Sequence, residues 1–309
     1  LIYQSWVILH KSTDGGLTWQ MIYNPESPLL MGEAKAFLVH PTDPEQLYVG
    51  IPAINTVNSG FFYSSDGGVT WERKENGLEH NSVAGAVFHP DNPQHIFLVT
   101  TDGFLYETKD GANNWTEHGR QFDQFNFLAI DPFGEHDLWA GYCPDDYYSP
   151  HGVARATLTE LGSWQSIPIM EVPGWCINAD VTFDPMNEGT IYVSSHTLGF
   201  KTTDGGENWY VGLSDSQQLM GFALSPANSD MVYARHMGKG IKKRSDGGMT
   251  WTVVNNGLAG VVPWALAAAV DNPDEVYVGS NPYGLYWSDA GGHDWLELEE
   301  YAGSVSLAT

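Results

Sequence analysis

An all-β fold, a seven-bladed β-propeller of four-stranded antiparallel blades, is what the sequence predicts. Three observations lead there: a tryptophan-ended turn motif recurring along the chain, a proline-centred motif recurring between its copies, and the short β-rich runs that separate them. Composition agrees, with 34 Gly, 12 Trp, 15 Tyr and 13 Phe in 309 residues, a balance that favours turns and strands over helices.

The turn motif first reads Ser12-Thr-Asp14-Gly-Gly16-Leu-Thr-Trp19. It returns as Ser64 to Trp71 around Asp66, Thr108 to Trp115 around Asp110, Thr202 to Trp209 around Asp204, and Arg244 to Trp251 around Asp246. A sixth copy, Ser288 to Trp295, carries Ala290 where the aspartate belongs, and Trp164 marks a seventh unit whose motif has decayed. Successive tryptophans lie 42 to 52 residues apart, so the units are nearly even. Between them Phe37-Leu-Val-His-Pro41 precedes Leu47-Tyr-Val-Gly50, Val87-Phe-His-Pro90 precedes Ile96-Phe-Leu-Val99, and Thr182-Phe-Asp-Pro185 precedes Ile191-Tyr-Val193. Each unit therefore holds four strand-like runs, the content of one propeller blade.

The first unit lacks an inner strand on its N-terminal side, whereas Ser304-Val-Ser-Leu-Ala308 is a spare one. Residues 304–308 are expected to complete the first blade, so that N- and C-terminal strands close the ring and remove an open edge. Residues 1–309 are read as a single domain.

Acidic residues number 38 against 13 basic ones, a net charge of −25. That field repels phosphates and anionic lipid headgroups, which argues against nucleic-acid and membrane partners. A glycan or other small ligand, or a protein docking on a loop face, is left. No apolar run approaches the ~18 residues of a bilayer span, and no signal peptide opens the chain, which begins at Leu1. The acidic surface fits an extracellular or periplasmic setting. Two cysteines, Cys143 and Cys176, exclude a disulfide framework; they fall on loops flanking one blade, so either a single disulfide or two buried thiols is open.

Ser/Thr-x-Asp-x-Gly-x-x-Trp is the Asp-box, and over its full length the chain resembles the Asp-box (BNR-repeat) β-propellers. That group includes sialidases, xyloglucan-cleaving glycosidases, sortilin-type receptors and photosystem II assembly factors. The resemblance implies that the box lies between the third and fourth strands, away from the ligand face. Its chemistry agrees: the aspartates Asp14, Asp66, Asp110, Asp204 and Asp246 can accept turn N–H groups, and the tryptophan can pack between blades. These five are read as structural. The departures also matter. Sialidases need three arginines around the substrate carboxylate, whereas the first arginine here is Arg73 and only five exist. Xyloglucan-cleaving enzymes place their cleft between two propellers, and assembly factors display an arginine patch.

Function is expected on the opposite face, from loops joining strands two to three and strand four to the next blade. The longest such loop, Tyr142 to His151, contains Asp145, Asp146, Tyr147 and Tyr148. Glycoside hydrolysis needs two carboxylates roughly 5 to 10 Å apart, and Asp123, Asp145 and Asp146 are candidates, with His236 as a further catalytic group. Asp180 and Asp215 are alternative partners in such a pair. Sugars lay their C–H faces on aromatic rings, which selects Tyr147, Tyr148, Trp175, Trp264 and Tyr283 as ligand-binding candidates, with His196 and Arg235 beside them. Arg235 can also pair with a substrate carboxylate. No cofactor is expected; the loop histidines His80, His151, His196 and His236 are the place a divalent metal would sit, against the alternative of solvated side chains. The functional expectation is a carbohydrate-active or glycan-binding propeller, a glycoside hydrolase or polysaccharide lyase working at the channel mouth. The alternative is a non-catalytic scaffold that binds a protein on the same face.

Overall fold

Strands form in the runs between the turn motifs, where β-branched and aromatic residues dominate. The computed structural model describes residues 2–5, 8–12, 18–22, 34–53, 59–143, 152–167, 180–195, 198–214, 218–245, 250–258, 260–270, 272–280, 284–299 and 306–308. The chain begins with three short strands, β1 (Ile2–Ser5), β2 (Ile8–Lys11) and β3 (Gln20–Ile22). Six blades of four consecutive antiparallel strands follow. The first is β4 (Ala36–Val39), β5 (Leu47–Ile51), β6 (Gly60–Ser64) and β7 (Glu72–Arg73). The second is β8 (Val83–His89), β9 (Asn92–Thr100), β10 (Phe104–Thr108) and β11 (Thr116–Arg120). The third is β12 (Gln124–Ile130), β13 (Leu138–Cys143), β14 (Gly152–Ala156) and β15 (Gln165–Ile167).

The fourth blade is β16 (Asp180–Phe183), β17 (Ile191–Ser195), β18 (Leu198–Thr202) and β19 (Tyr210–Ser214). The fifth is β20 (Leu219–Ser225), β21 (Asn228–His236), β22 (Gly240–Arg244) and β23 (Thr252–Val253). The sixth is β24 (Pro263–Ala268), β25 (Val276–Ser280), β26 (Gly284–Ser288) and β27 (Leu296–Glu299). Last comes β28 (Ser306–Ala308).

The expectation of seven blades is corrected here: among the described residues, the four-stranded blades made of continuous chain number six. Among the described residues the Trp19 unit supplies three strands of three or four residues each, so it is not a blade of continuous chain. Its strands lie instead in a composite sheet, ordered β28-β1-β2-β3, in which Ile2 pairs with Ala308 and Gln4 with Ser306.

The chain divides into two compact units, 1–6 with 10–21 and 178–309, and 7–9 with 22–177. In the second unit the first strands of its three blades, β4, β8 and β12, lie side by side. Second strands carry the core: every residue of β5 is buried, and Ile96 to Thr100 of β9 likewise. Tyr48, Phe61, Leu98, Tyr106 and Trp115 interlock across two blades, and Phe97, Val99, Leu105, Phe125 and Leu138 across the next two. In the other unit Tyr233, Ile241, Val276, Val278 and Trp295 form the equivalent layer between the fifth and sixth blades. Burying a side chain of this size contributes roughly 1.5–3 kcal/mol, so these layers dominate the stability of each blade pair.

Candidate functional site

Within each blade, successive antiparallel strands put the loops from strand one to two and three to four at one end, and the remaining loops at the other. The described boxes sit between strands three and four. Asp66 Oδ1 accepts the Thr70 N–H at 2.8 Å, its Oδ2 accepts the Thr70 hydroxyl at 2.6 Å, and the Ser64 hydroxyl donates to Oδ1 at 2.8 Å. Asp110 and Asp204 repeat the pattern with Asn114 and Asn208, whose backbone and side-chain amides both donate to the carboxylate. The Asn208 amides and the Thr202 hydroxyl hold the Asp204 carboxyl down at about 2. Each aspartate is thus saturated by its own turn. In the sixth copy Ser288 still accepts the N–H groups of Ala290 and Gly292, so the turn survives without the carboxylate.

At the opposite end of the second and third blades, Arg120, Gln121, Phe122, Asp123, Tyr142 and Cys143 line a pocket of about 400 Å³. It forms where β11 passes into β12 and where β13 ends. Phe122 stacks on Tyr142 at 4.5 Å and meets Phe125 edge-on at 5.3 Å, while Trp164 packs behind both phenylalanines. Arg120 fixes the loop: Nε donates to the Asp102 carbonyl at 3.0 Å, Nη2 to the Asp123 carbonyl at 3.1 Å, and Nη2 lies 3.6 Å from Asp123 Oδ1. Next to it His80 Nδ1 lies 2.6 Å from Asp102 Oδ2, and the imidazole stacks on Phe104 at 3.6 Å. Gly103 has φ +91°, and a Cβ there would collide with the Phe122 carbonyl, so only glycine lets the two loops approach this closely. Cys143 is disulfide-bonded, and Cys176 is the one other cysteine in the sequence.

A second constellation lies in the other unit. Arg235 Nη2 is 3.7 Å from Asp180 Oδ2, and its Nη1 donates to the Trp264 carbonyl. Desolvation at the strand end pushes the Asp180 carboxyl above its ordinary value, with Arg235 pulling the other way. Gly221 leaves room for the pair, since a Cβ there would press on both Asp180 and Arg235. Arg235 is therefore engaged by protein groups. His236, expected to act in catalysis, is fully buried at the end of β21.

The structure thus brings Asp123 into a pocket with aromatic walls, and gathers Arg235, Asp180 and Trp264 elsewhere. Asp145, Asp146, Tyr147, Tyr148, His151, Trp175, Cys176, His196, Asp215, Tyr283, Asp14 and Asp246 lie outside the described residues. Among the described residues no group of three His, Cys, Asp or Glu side chains is arranged to hold a metal ion. Sequence reasoning missed Arg120 and Gln121. The available signal was an arginine, one of only five, at the end of a fourth strand feeding the expected functional face.

No family model matches the chain. Among curated proteins it is 27% identical over 224 residues to a probable oligoxyloglucan-reducing end-specific xyloglucanase of Neosartorya fischeri, covering 65% of this chain and 22% of that protein. It is 32% identical over 121 residues to the photosystem II assembly lipoprotein Ycf48 of Nostoc sp., covering 38% of this chain and 33% of that protein. The chain therefore spans a minor part of the length of both relatives. Among solved structures, an ancestral GH74 enzyme superposes with a TM-score of 0.71 at 20% identity, over 87% of this chain and 39% of the other. YCF48 bound to D1 peptide superposes with a TM-score of 0.62 at 17% identity, over 88% and 85%. These likenesses show the fold, an all-β propeller type with four-stranded antiparallel blades.

Proposed function

We propose that the chain is a glycan-binding, carbohydrate-active propeller that recognises an oligosaccharide at the Arg120–Cys143 pocket. The observation that supports this most is one cavity of about 400 Å³ that joins an aromatic wall, Phe122 and Tyr142, to the polar groups of Arg120, Gln121 and Asp123. That volume is in the range of small-ligand sites, ~300–1,000 Å³. Rings of this kind accept the apolar face of a sugar while amide and carboxylate groups pair with its hydroxyls. The similarity to a xyloglucanase makes xyloglucan oligosaccharides the first ligands to try. Cleavage there would draw on Asp123 with Asp145 or Asp146 across the glycosidic bond, one as acid and one as base. The disulfide at Cys143 favours an oxidising compartment, extracellular or periplasmic.

Calorimetric titration with xyloglucan oligosaccharides, followed by a reducing-end assay, tests the reading. Tyr142→Ala should weaken binding about tenfold or more, as loss of a central aromatic anchor does. Wild-type affinity in that variant, or no binding to any oligosaccharide, would sink the proposal.

A second reading is a protein-binding scaffold. It is favoured by the superposition on YCF48, which extends over most of both chains. A displayed peptide library discriminates: peptides selected on the wild type that are lost with Arg120→Met would move this reading ahead.

A further inference from the structure

Four histidines gather at the box end of the second and third blades, away from the pocket. His89 ends β8, His95 lies on β9, His118 on β11, and His136 in the turn between β12 and β13. His89 is sandwiched: its ring stacks on His95 at 5.1 Å and meets His136 edge-on at 5.0 Å. Both neighbours have carboxylates. His95 Nε2 lies 2.7 Å from Glu107 Oε1, and His136 Nε2 lies 3.0 Å from Asp91 Oδ2. Glu107 also takes His118 Nε2 at 3.0 Å on its other oxygen and Lys109 Nζ at 3.1 Å. His136 Nδ1 reaches the Asp131 carbonyl at 3.0 Å, and the residue is held at φ 59°, a conformation that side chains other than glycine seldom adopt.

His89 differs from its neighbours in chemistry. Its Nδ1 accepts the Asp91 N–H at 3.2 Å, which fixes the neutral tautomer with the proton on Nε2. Protonation at Nδ1 would abolish that acceptor and set a cation between two imidazoles. His95 and His136 each turn a ring nitrogen towards a carboxylate, Glu107 and Asp91, whereas His89 Nδ1 serves as acceptor for a backbone N–H.

We propose that His89, His95 and His136, with Asp91 and Glu107, form an acid-sensing clasp that ties the second blade to the third and loosens as pH falls through the histidine range. Asp91 and His136 make the link across the two blades, and His89 is the group whose charging strains it. The ionisable groups facing the sandwich are Asp91 from its own turn, His95 from β9, Glu107 and Lys109 from β10 and its end, His118 from β11, and His136 from the third blade. Burial and the two neighbouring imidazoles hold His89 below the ordinary histidine value, against a smaller upward pull from Asp91. The sign follows: the folded state binds the proton less readily than the unfolded chain. Stability is therefore full above the unfolded value and declines as pH falls below it.

The test is a melting-temperature profile of the intact protein from about pH 7.5 to about pH 5, the interval in which histidines titrate. His89→Asn keeps an oxygen to accept the Asp91 N–H but cannot ionise, and it should flatten the acid-side fall seen in the wild type. Asp91→Asn removes the carboxylate beside His136 and should steepen that fall. Hydrogen exchange of β12 amides, corrected for intrinsic rate, should quicken at the acid end in the wild type and less so in His89→Asn. A flat wild-type profile, or the same slope in His89→Asn, overturns the clasp. So does acid-induced exchange confined to other blades.

Discussion

Arg244 donates through Nη2 to the Tyr192 hydroxyl at 2.6 Å, joining β22 of the fifth blade to β17 of the fourth. The guanidinium is buried, and it also lies over the rings of Tyr192 at 5.6 Å and Trp251 at 5.7 Å. A cation this enclosed depends on every partner it has. Tyr192→Phe keeps the ring and removes one oxygen, so it isolates the hydrogen bond. The expected cost is on the order of 1–3 kcal/mol, with ligand binding unchanged. Denaturant titration measures it, and a change below a few tenths would show that Arg244 finds another acceptor.

The sixth box explains its own missing aspartate. In the described boxes the residue four positions after the aspartate, Thr70, Asn114 or Asn208, donates a side-chain hydrogen bond to it. In the sixth copy that place is Asp294, whose carboxylate already accepts from Asn256 and, unlike the Thr hydroxyl or Asn amide, is an acceptor rather than a donor. Ala290→Asp alone would bring two carboxylates together and should be neutral or destabilising. Combined with Asp294→Asn it should gain on the order of 1 kcal/mol over Asp294→Asn alone. A double-mutant cycle reads the coupling; additive effects would refute the explanation.

Acid stability carries the signature of Asp204. Its folded-state value of about 2 lies below the ordinary 3.8, so the stabilisation it provides is present above about pH 4 and is lost as pH falls towards 2. Asp204→Asn should therefore lower the melting temperature at neutral pH and converge with the wild type in strong acid. Parallel curves across the whole range would mean that the carboxylate's charge contributes nothing.

Reduction of the disulfide gives a further check. Closing a segment of about 33 residues between Cys143 and Cys176 restricts the unfolded chain by roughly 3–4 kcal/mol in the loop-entropy model. A reducing agent, or Cys143→Ser, should lower stability by an amount of that order. The pocket should suffer as well, because Cys143 is part of its lining. Unchanged melting under reduction would count against this.

Repetition made much of the fold readable. The box turns and Pro-centred turns recur at fixed phase, so each blade's strands could be placed by comparison with the others. The Trp19 unit was counted as a seventh blade because it carries the same motif as the others, whereas its described strands share a sheet with β28. The site was less readable still. Arg235 and His236 are sequence neighbours, yet a strand sends them to opposite faces: one meets Asp180, and the other is fully buried. Arg120 belongs to no repeat, so nothing in the periodic pattern marked it. Only the approach of the 101–103 and 121–123 loops, permitted by Gly103, reveals what it holds together.

Five of the box tryptophans fall into two groups by the carbonyl that their indole N–H meets. Trp71 and Trp209 donate to carbonyls of their own turns, Gly68 and Gly206. Trp115, Trp251 and Trp295 donate instead to Lys74, Gly212 and Val254 in the preceding blade. Trp115 and Trp295 are also buried, so their emission should be the bluest of the five. Parting of two blades would wet Trp115 or Trp295 and shift its light to longer wavelength, while Trp71 would register only the loss of its own turn. In variants that keep Trp71 or Trp115 alone among the twelve tryptophans, fluorescence would thus separate two events, blades coming apart and blades melting.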